Sequence, residues 1–156
     1  MGNYNRLEAV KYAQKWALGA NPKFYHFEGI GGDCTNFISQ CLLAGGGEMV
    51  YNKANGWYYI SSENRSPSWT SVESLASFLL RQTDKGIVGR KSDLSSLREG
   101  DLIQLRQNPY RFNHSLIISR ISNGQIYVCA HSFDALDRKF SSYSYLEAVG
   151  LKIEIL

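Results

Sequence analysis

The chain is poor in cysteine, histidine and proline, and these shortages exclude several classes of protein. It contains three cysteines, three histidines and three prolines among 156 residues. An odd and low number of cysteines is not the pattern of a disulfide-stapled secreted domain, so we expect at least one free thiol. No proline-rich, repetitive or low-complexity tract interrupts the chain, and we expect one domain over residues 1–156.

Long apolar runs and clusters of basic residues are also missing. No stretch reaches the roughly 20 apolar residues of a membrane span, and the start, MGNYNRLEAVKYAQ, lacks the charged and apolar parts of a signal peptide. The net charge is +3 and the basic residues are scattered. We therefore expect no membrane span, no signal peptide in this chain and no nucleic-acid partner. The oligomeric state is left open.

Apolar spacing predicts helices in the first half of the chain. A helix is expected over residues 4–18, where Gly19 and Pro22 follow. A second helix is expected after Asp33, a good N-cap residue, and ends at glycines 45–47. A third begins near Val72, where residues 70–73 match a capping box.

The last third of the chain has the pattern of β-structure. A strand is expected from Leu102, and the alternating end, LKIEIL, predicts a closing strand. Asn123-Gly124 lies between two β-branched runs, which is the strongest short hairpin signal here. Helices followed by strands predict the α+β class with an antiparallel sheet, apolar enough to be covered on both faces.

Cys34 is the candidate nucleophile. A thiol at a helix start lies at the positive end of the helix dipole, which favours the thiolate. A small buried core residue is the alternative for Cys34, and it is our interpretation of Cys41 and Cys129. A cysteine nucleophile also needs a base, which is usually a histidine.

Hairpin geometry predicts which histidines meet. With a two-residue turn at Asn123-Gly124, Leu116 faces His131, and His114 then shares a face with His131. Diagonal neighbours of this kind are roughly 7–8 Å apart, which suits a base and the residue that orients it. Asp134 and Asp137 are rivals for the orienting role. The prediction depends on register, because a slip of one residue moves side chains to the other face.

Other roles remain open for the same residue types. Cys34, Cys129, His114 and His131 could instead form a structural zinc site, although no short Cys-x-x-Cys spacing supports it. His26 is expected to face solvent from a loop. The aromatic segment could line a substrate groove or pack in the core; its members are Trp57, Tyr58, Tyr59 and Trp69.

The string GGDCTNFISQ, with NYNRLEAVKYAQKWALGANPKFY before it and SWTSVESLASFL after it, closely resembles the putative amidase domain family. LREGDLIQL followed by HSLIIS resembles the wider NlpC/P60 and CHAP group of papain-like cysteine peptidases and amidases. Together these resemblances cover about residues 4–132. They imply a papain-like α+β fold and thiol-dependent hydrolysis of an amide or peptide bond, without a cofactor or metal.

Carried over by position, the resemblance gives each site residue a role. It makes Cys34 the nucleophile, His114 the general base and His131 the residue that orients it. No glutamine precedes Cys34 as an oxyanion donor, so the backbone amide of Cys34, with Tyr25, takes that part. Further substrate-binding or oxyanion candidates are Asp33, Trp57 and Trp69.

The resemblance also implies a substrate class and a setting. The substrate is expected to be a peptide or peptidoglycan fragment of the bacterial cell wall, and the protein secreted or wall-associated. The absence of a signal peptide keeps cytoplasmic action open. Two alternatives use the same fold: a catalytically silent module that binds glycan or peptide, and an acyltransferase that uses the same Cys34–His114 pair.

Overall fold

In a computed structural model, which describes residues 3–28, 32–81 and 85–156, helices pack on one face of an antiparallel sheet. This confirms the predicted α+β class. The helices are α1 (Arg6–Trp16), α2 (Cys34–Ala44), α3 (Pro67–Thr70) and α4 (Val72–Arg81). The strands are β1 (Tyr59–Ser61), β2 (Asn64–Arg65), β3 (Ile87–Ser92), β4 (Leu102–Arg106), β5 (His114–Ser122), β6 (Gln125–Ala130), β7 (Ala135–Lys139) and β8 (Glu147–Ile155). Short 3-10 turns cover Leu94–Ser96 and Phe140–Ser142.

Local chemistry sets the helix ends. The Asn5 side chain caps α1 by accepting the Glu8 N–H, and α2 begins one residue after Asp33 and stops at the glycines, as predicted. The predicted capping box at residues 70–73 does not form. Helix α4 begins at Val72, and the Glu73 carboxylate instead accepts the Phe112 N–H at 3.1 Å.

Six strands form the main sheet, in the order β3-β8-β4-β5-β6-β7, with every neighbouring pair antiparallel. β1 and β2 make a separate small hairpin. The closing strand β8 therefore lies inside the sheet, between β3 and β4. No helix in the described ranges is long and apolar enough to cross a bilayer.

Both faces of the sheet are buried, as the apolar pattern predicted. On the helix face, Ile117 and Cys129 join a core built with Phe37 and the two buried tryptophans. On the opposite face, Leu116 and Val128 join a second core closed by Phe140. Successive side chains along β5 therefore alternate between the two cores, as they do in any regular strand.

A β-bulge interrupts that alternation in the β5–β6 hairpin. The Asn123-Gly124 turn has the predicted two residues, since Ser122 pairs with Gln125. Farther from the turn, however, Arg120 pairs with Tyr127 while Ile118 pairs with Val128. Ser119 is therefore an extra residue in β5, with no residue of β6 opposite it. An extra residue on one strand exchanges the faces of everything beyond it.

The first helix is tied to β4 and β8 by a part-buried ion pair, in which Asp101 is fully buried and Arg6 is partly accessible. Arg6 donates to the Asp101 carboxylate at 2.8 Å and to the Ile153 carbonyl at 3.0 Å. Asp101 is fully buried and also accepts the backbone N–H groups of Arg98 and Ile153. The network connects three segments: α1, the turn that precedes β4, and strand β8. It therefore attaches α1 to the sheet.

Candidate active site

Cys34 is the first residue of α2, as the sequence predicted, and its thiol lies against the start of β5. Sγ is 3.8 Å from the Thr35 hydroxyl and 4.0 Å from the Asn113 carbonyl. Burial raises the pKa of the Cys34 thiol, and hydrogen bonds from Ser115 and Thr35 lower it by less. The resting thiol is thus protonated at neutral pH, with donors already arranged around the sulfur.

The thiol opens onto a polar cleft of about 300 Å³. Its lining includes Thr70 and Ser71 from the α3–α4 junction, and Arg111 and Asn113 from the approach to β5. Glu73 also lines the cleft, and one of its carboxylate oxygens accepts the Phe112 N–H. Among the described residues, no histidine side chain lines this cleft.

His114 lies on the other face of the sheet, away from the helices. It pairs with Leu105, and its ring centroid is 6.1 Å from that of Tyr143, beside the second core. The next residue, Ser115, is the one that faces α2, where its hydroxyl is 3.5 Å from that of Thr35. The prediction that His114 and His131 share a face is therefore wrong, and the bulge at Ser119 is the reason.

Burial in this second core determines the charge of His114. Desolvation, helped by the positive Arg138, lowers the pKa of His114 to about 4. The imidazole is neutral at pH 7. A histidine that stabilised a thiolate would instead have a raised pKa, because the negative sulfur favours the imidazolium.

His131 lies on the helix face and binds the residue that precedes the cysteine. Its Nδ1 is 2.6 Å from Asp33 Oδ2 and its Nε2 is 2.7 Å from the Trp16 carbonyl. The ring stacks on Phe37 with 4.1 Å between centroids. Burial lowers the pKa of His131, but the bonds to Asp33 and Trp16 outweigh it and the net shift is upward.

Asp33 is held by more than this histidine. Its Oδ1 accepts the Phe27 N–H and the Asn36 side-chain N–H, each at 2.8 Å, and its carboxylate is 1% exposed. It is the N-cap residue of α2 by position, yet its side chain makes no capping bond to the helix. Asp33 is therefore a junction between the loop before α2, the helix and His131, and it does not open into the cleft.

The four residues of the alternative structural zinc site do not come together, because His114 and His131 lie on opposite faces of the sheet. All three cysteines are free and buried, and Cys41 and Cys129 belong to the core as predicted. His26 is exposed as predicted, with a side chain 41% accessible, but its Nε2 also comes within 3.7 Å of Asp33 Oδ2.

The two tryptophans proposed for substrate binding are core residues. Trp57 and Trp69 are fully buried, and their ring centroids are 4.9 Å apart with the ring planes tilted by 34°. Trp57 donates to Ser39, and Trp69 donates to Asn36. Tyr25 is exposed and packs against Phe27 outside the lining of the Cys34 cleft.

Sequence reasoning missed Glu73, Arg111 and Asn113 as cleft residues. The sequence pattern predicts a capping role for Glu73. Asn113 directly precedes His114, which is the predicted base at the start of β5. A signal was available in the run RFNHS, where polar residues stand directly before a buried strand, the usual place for site residues. No sequence pattern predicts the bond between Asp33 and His131, because the two residues are 98 positions apart in the chain.

Comparison with known proteins gives one family and two curated relatives. The family described as putative amidase domain matches residues 3–153. Uncharacterized protein YhbB of Bacillus subtilis (strain 168) is 34% identical over 142 residues, which cover 88% of this chain and 44% of that protein. Uncharacterized protein YjcM of the same organism is 28% identical over 142 residues, covering 86% of this chain and 32% of that protein.

The chain spans less than half the length of these curated relatives. No solved structure is significantly similar to it. The family match extends over nearly all of the sequence and includes α2, the cleft, His114 and His131. The chain belongs to the putative amidase domain family.

Proposed function

We propose that this protein is a thiol-dependent hydrolase of amide or peptide bonds, with Cys34 as its nucleophile, built as a single papain-like domain related to the NlpC/P60 and CHAP enzymes. Membership of an amidase family supports amide hydrolysis. One observation carries the choice of residue: Cys34 begins a helix and opens onto a polar cleft, whereas Cys41 and Cys129 are sealed in the core.

The proposed reaction begins when Cys34 Sγ attacks the carbonyl carbon of a bound amide. The thiol proton passes to a carboxylate or imidazole and then to the leaving nitrogen, and the C–N bond breaks to give a thioester. Water then adds to the thioester, which releases a carboxylic acid and restores the thiol. The oxyanion is placed at the Cys34 backbone amide, at the helix N-terminus.

Glu73 is our choice for the proton acceptor. It lines the cleft with Cys34, and the Phe112 N–H holds one of its oxygens. His114 was the expectation from family resemblance, but its ring faces the other core, so that assignment would require the start of β5 to turn over. His131 acts in this proposal as a positioning residue, through its bond to Asp33 beside the nucleophile.

The cleft also favours a substrate class. Arg111 lines it, and its guanidinium can pair with a carboxylate of a peptide substrate. A peptide with free carboxylates therefore suits the site better than an uncharged amide. Resemblance to the NlpC/P60 and CHAP group adds the bacterial cell wall as the source of such peptides.

The experiment measures release of amine from synthetic peptidoglycan stem peptides by mass spectrometry. We expect activity in the wild type, none in Cys34→Ala, and wild-type activity in Cys41→Ala, a matched control on the same helix but in the core. Glu73→Gln is expected to lose at least about 100-fold and His114→Gln far less. Full activity in Cys34→Ala would refute the proposal, and the reverse ranking of the last two would restore His114 as the base.

A second candidate is a catalytically silent module that binds the same peptides. It is favoured by the raised pKa of the Cys34 thiol and by a cleft whose described lining holds no imidazole. Its signature is peptide binding that Cys34→Ala leaves intact, without any bond cleavage by the wild type. An acyltransferase would show as transfer of the acyl group to an added amine in the same mass-spectrometric assay.

A further inference from the structure

Beside the cleft, three side chains converge that the proposed hydrolysis does not use as reacting groups. They are His26, Asp33 and His131, and one ligand atom of each lies within 4.8 Å of the other two. Asp33 Oδ2 is the shared centre, 2.6 Å from His131 Nδ1 and 3.7 Å from His26 Nε2. We propose that these atoms form a binding site for a single zinc ion.

The donor set has the composition of an open zinc site. Two imidazoles and one carboxylate leave a fourth position for water or another ligand, as in zinc sites that are not purely structural. Bond lengths of about 2.0–2.1 Å place tetrahedral ligand atoms about 3.3 Å apart. From 2.6 Å, Asp33 and His131 must separate by about 0.7 Å to reach that spacing. His26 must approach Asp33 by about 0.4 Å from 3.7 Å, and its distance from the His131 ligand atom, which is within 4.8 Å, must shorten by up to about 1.5 Å.

The surroundings already fix two of the three ligands. His131 Nε2 bonds the Trp16 carbonyl at 2.7 Å, which directs Nδ1 toward Asp33. Such a bond from the remote ring nitrogen to a carbonyl is the usual support of a zinc-bound histidine. Asp33 Oδ1 accepts the N–H groups of Phe27 and Asn36, so Oδ2, which contacts His131 Nδ1, is the oxygen that would bind the metal.

The two fixed ligands, Asp33 and His131, are buried, whereas His26 is exposed. A zinc ion can therefore enter the site from solvent on the side of His26. The side chains of Asp33 and His131 are 1% and 2% accessible, whereas that of His26 is 41% accessible. The ion would take the place of the proton between Asp33 and His131, and that proton would leave to solvent. His26 would then close over the ion from the loop. The Cys34 thiol is not a ligand in this proposal.

The test is zinc uptake by untagged protein, freed of metal with a chelator and titrated with ZnCl₂ against a chromogenic competitor. We expect one zinc per chain and a rise in Tm with zinc, and no response to MgCl₂, which prefers oxygen ligands. His26→Gln, on the exposed loop, is expected to weaken zinc binding at least about 10-fold without unfolding the protein. Glu28→Gln is the matched control, because it removes a nearby negative charge but no ligand atom.

Two results would overturn the proposal. One is no stoichiometric uptake by the wild type, which would leave Asp33 and His131 as a structural ion pair. The other is unchanged zinc binding in His26→Gln, above all if Cys34→Ala abolishes it, since the metal would then sit on the thiol. Because uptake is measured without turnover, these results are independent of whether Cys34 is catalytic.

Discussion

Replacing His114 should change how the stability of the protein depends on pH. The ring is 5% exposed in the second core, and burial beside Arg138 lowers the pKa of His114 to about 4 from the ordinary 6.5. In the unfolded chain the imidazole titrates normally. Between these two values the unfolded state binds more protons, so the stability that His114 contributes is present above pH 6.5 and is lost as the pH falls toward 4.

The size of the effect follows from the pKa difference. At about 1.4 kcal/mol per pKa unit, the shift of His114 corresponds to about 3 kcal/mol when the pH is below both values. Between pH 7 and pH 5 the unfolded imidazole becomes almost fully protonated while the folded one stays mostly neutral. The free energy of unfolding should fall by about 2 kcal/mol over that interval because of this residue alone.

The assay is urea unfolding of wild type and His114→Gln at pH 7 and pH 5. Other groups titrate equally in the two proteins, so the variant should lose about 2 kcal/mol less than the wild type. His114→Leu provides a second variant that suits the apolar surroundings. Identical losses in all three proteins would refute the argument, as would a magnetic-resonance titration of His114 above pH 6.5, which would indicate a thiolate partner.

Further predictions concern the buried polar network and the tryptophans. Asp101→Asn should lower the free energy of unfolding by about 3 kcal/mol because it leaves Arg6 without its charge partner, whereas Glu154→Gln, from an exposed ion pair, should change it by less than about 1 kcal/mol. Urea titration of both variants checks this. Trp69→Phe should cost about 1–3 kcal/mol, since the Asn36 amide oxygen loses its buried donor; unchanged stability would argue against that bond.

Short-range signals made the class of the fold predictable. Asn123-Gly124 dictates a tight turn by its backbone preferences alone, and the hairpin forms where the sequence places it. The bounds of α2 likewise follow from the apolar helical pattern that begins after Asp33 and from the glycines that end it, although the Asp33 side chain makes no capping bond. These features depend on residues that are neighbours in the chain, which is why sequence reasoning reaches them.

The site was less predictable because it depends on register over a longer distance. An extra residue at Ser119 would be visible in a strand with one polar face, but both faces of β5 are apolar, so the pattern is the same before and after a flip. His114 was therefore assigned to the wrong side of the sheet. The bond of His131 to Asp33 joins distant segments and leaves no local trace either.

The position of β8 in the sheet has a consequence for synthesis on the ribosome. Among the described strands, β3 is hydrogen-bonded to the main sheet only through β8, and Arg6 of α1 reaches the Ile153 carbonyl of the same strand. Until Glu147–Ile155 has left the exit tunnel, β3 lacks its partner and one edge of β4 is open. Nascent chains that lack β8 would expose that edge, so the synthesis of β8 is the step that protects it from pairing with other chains.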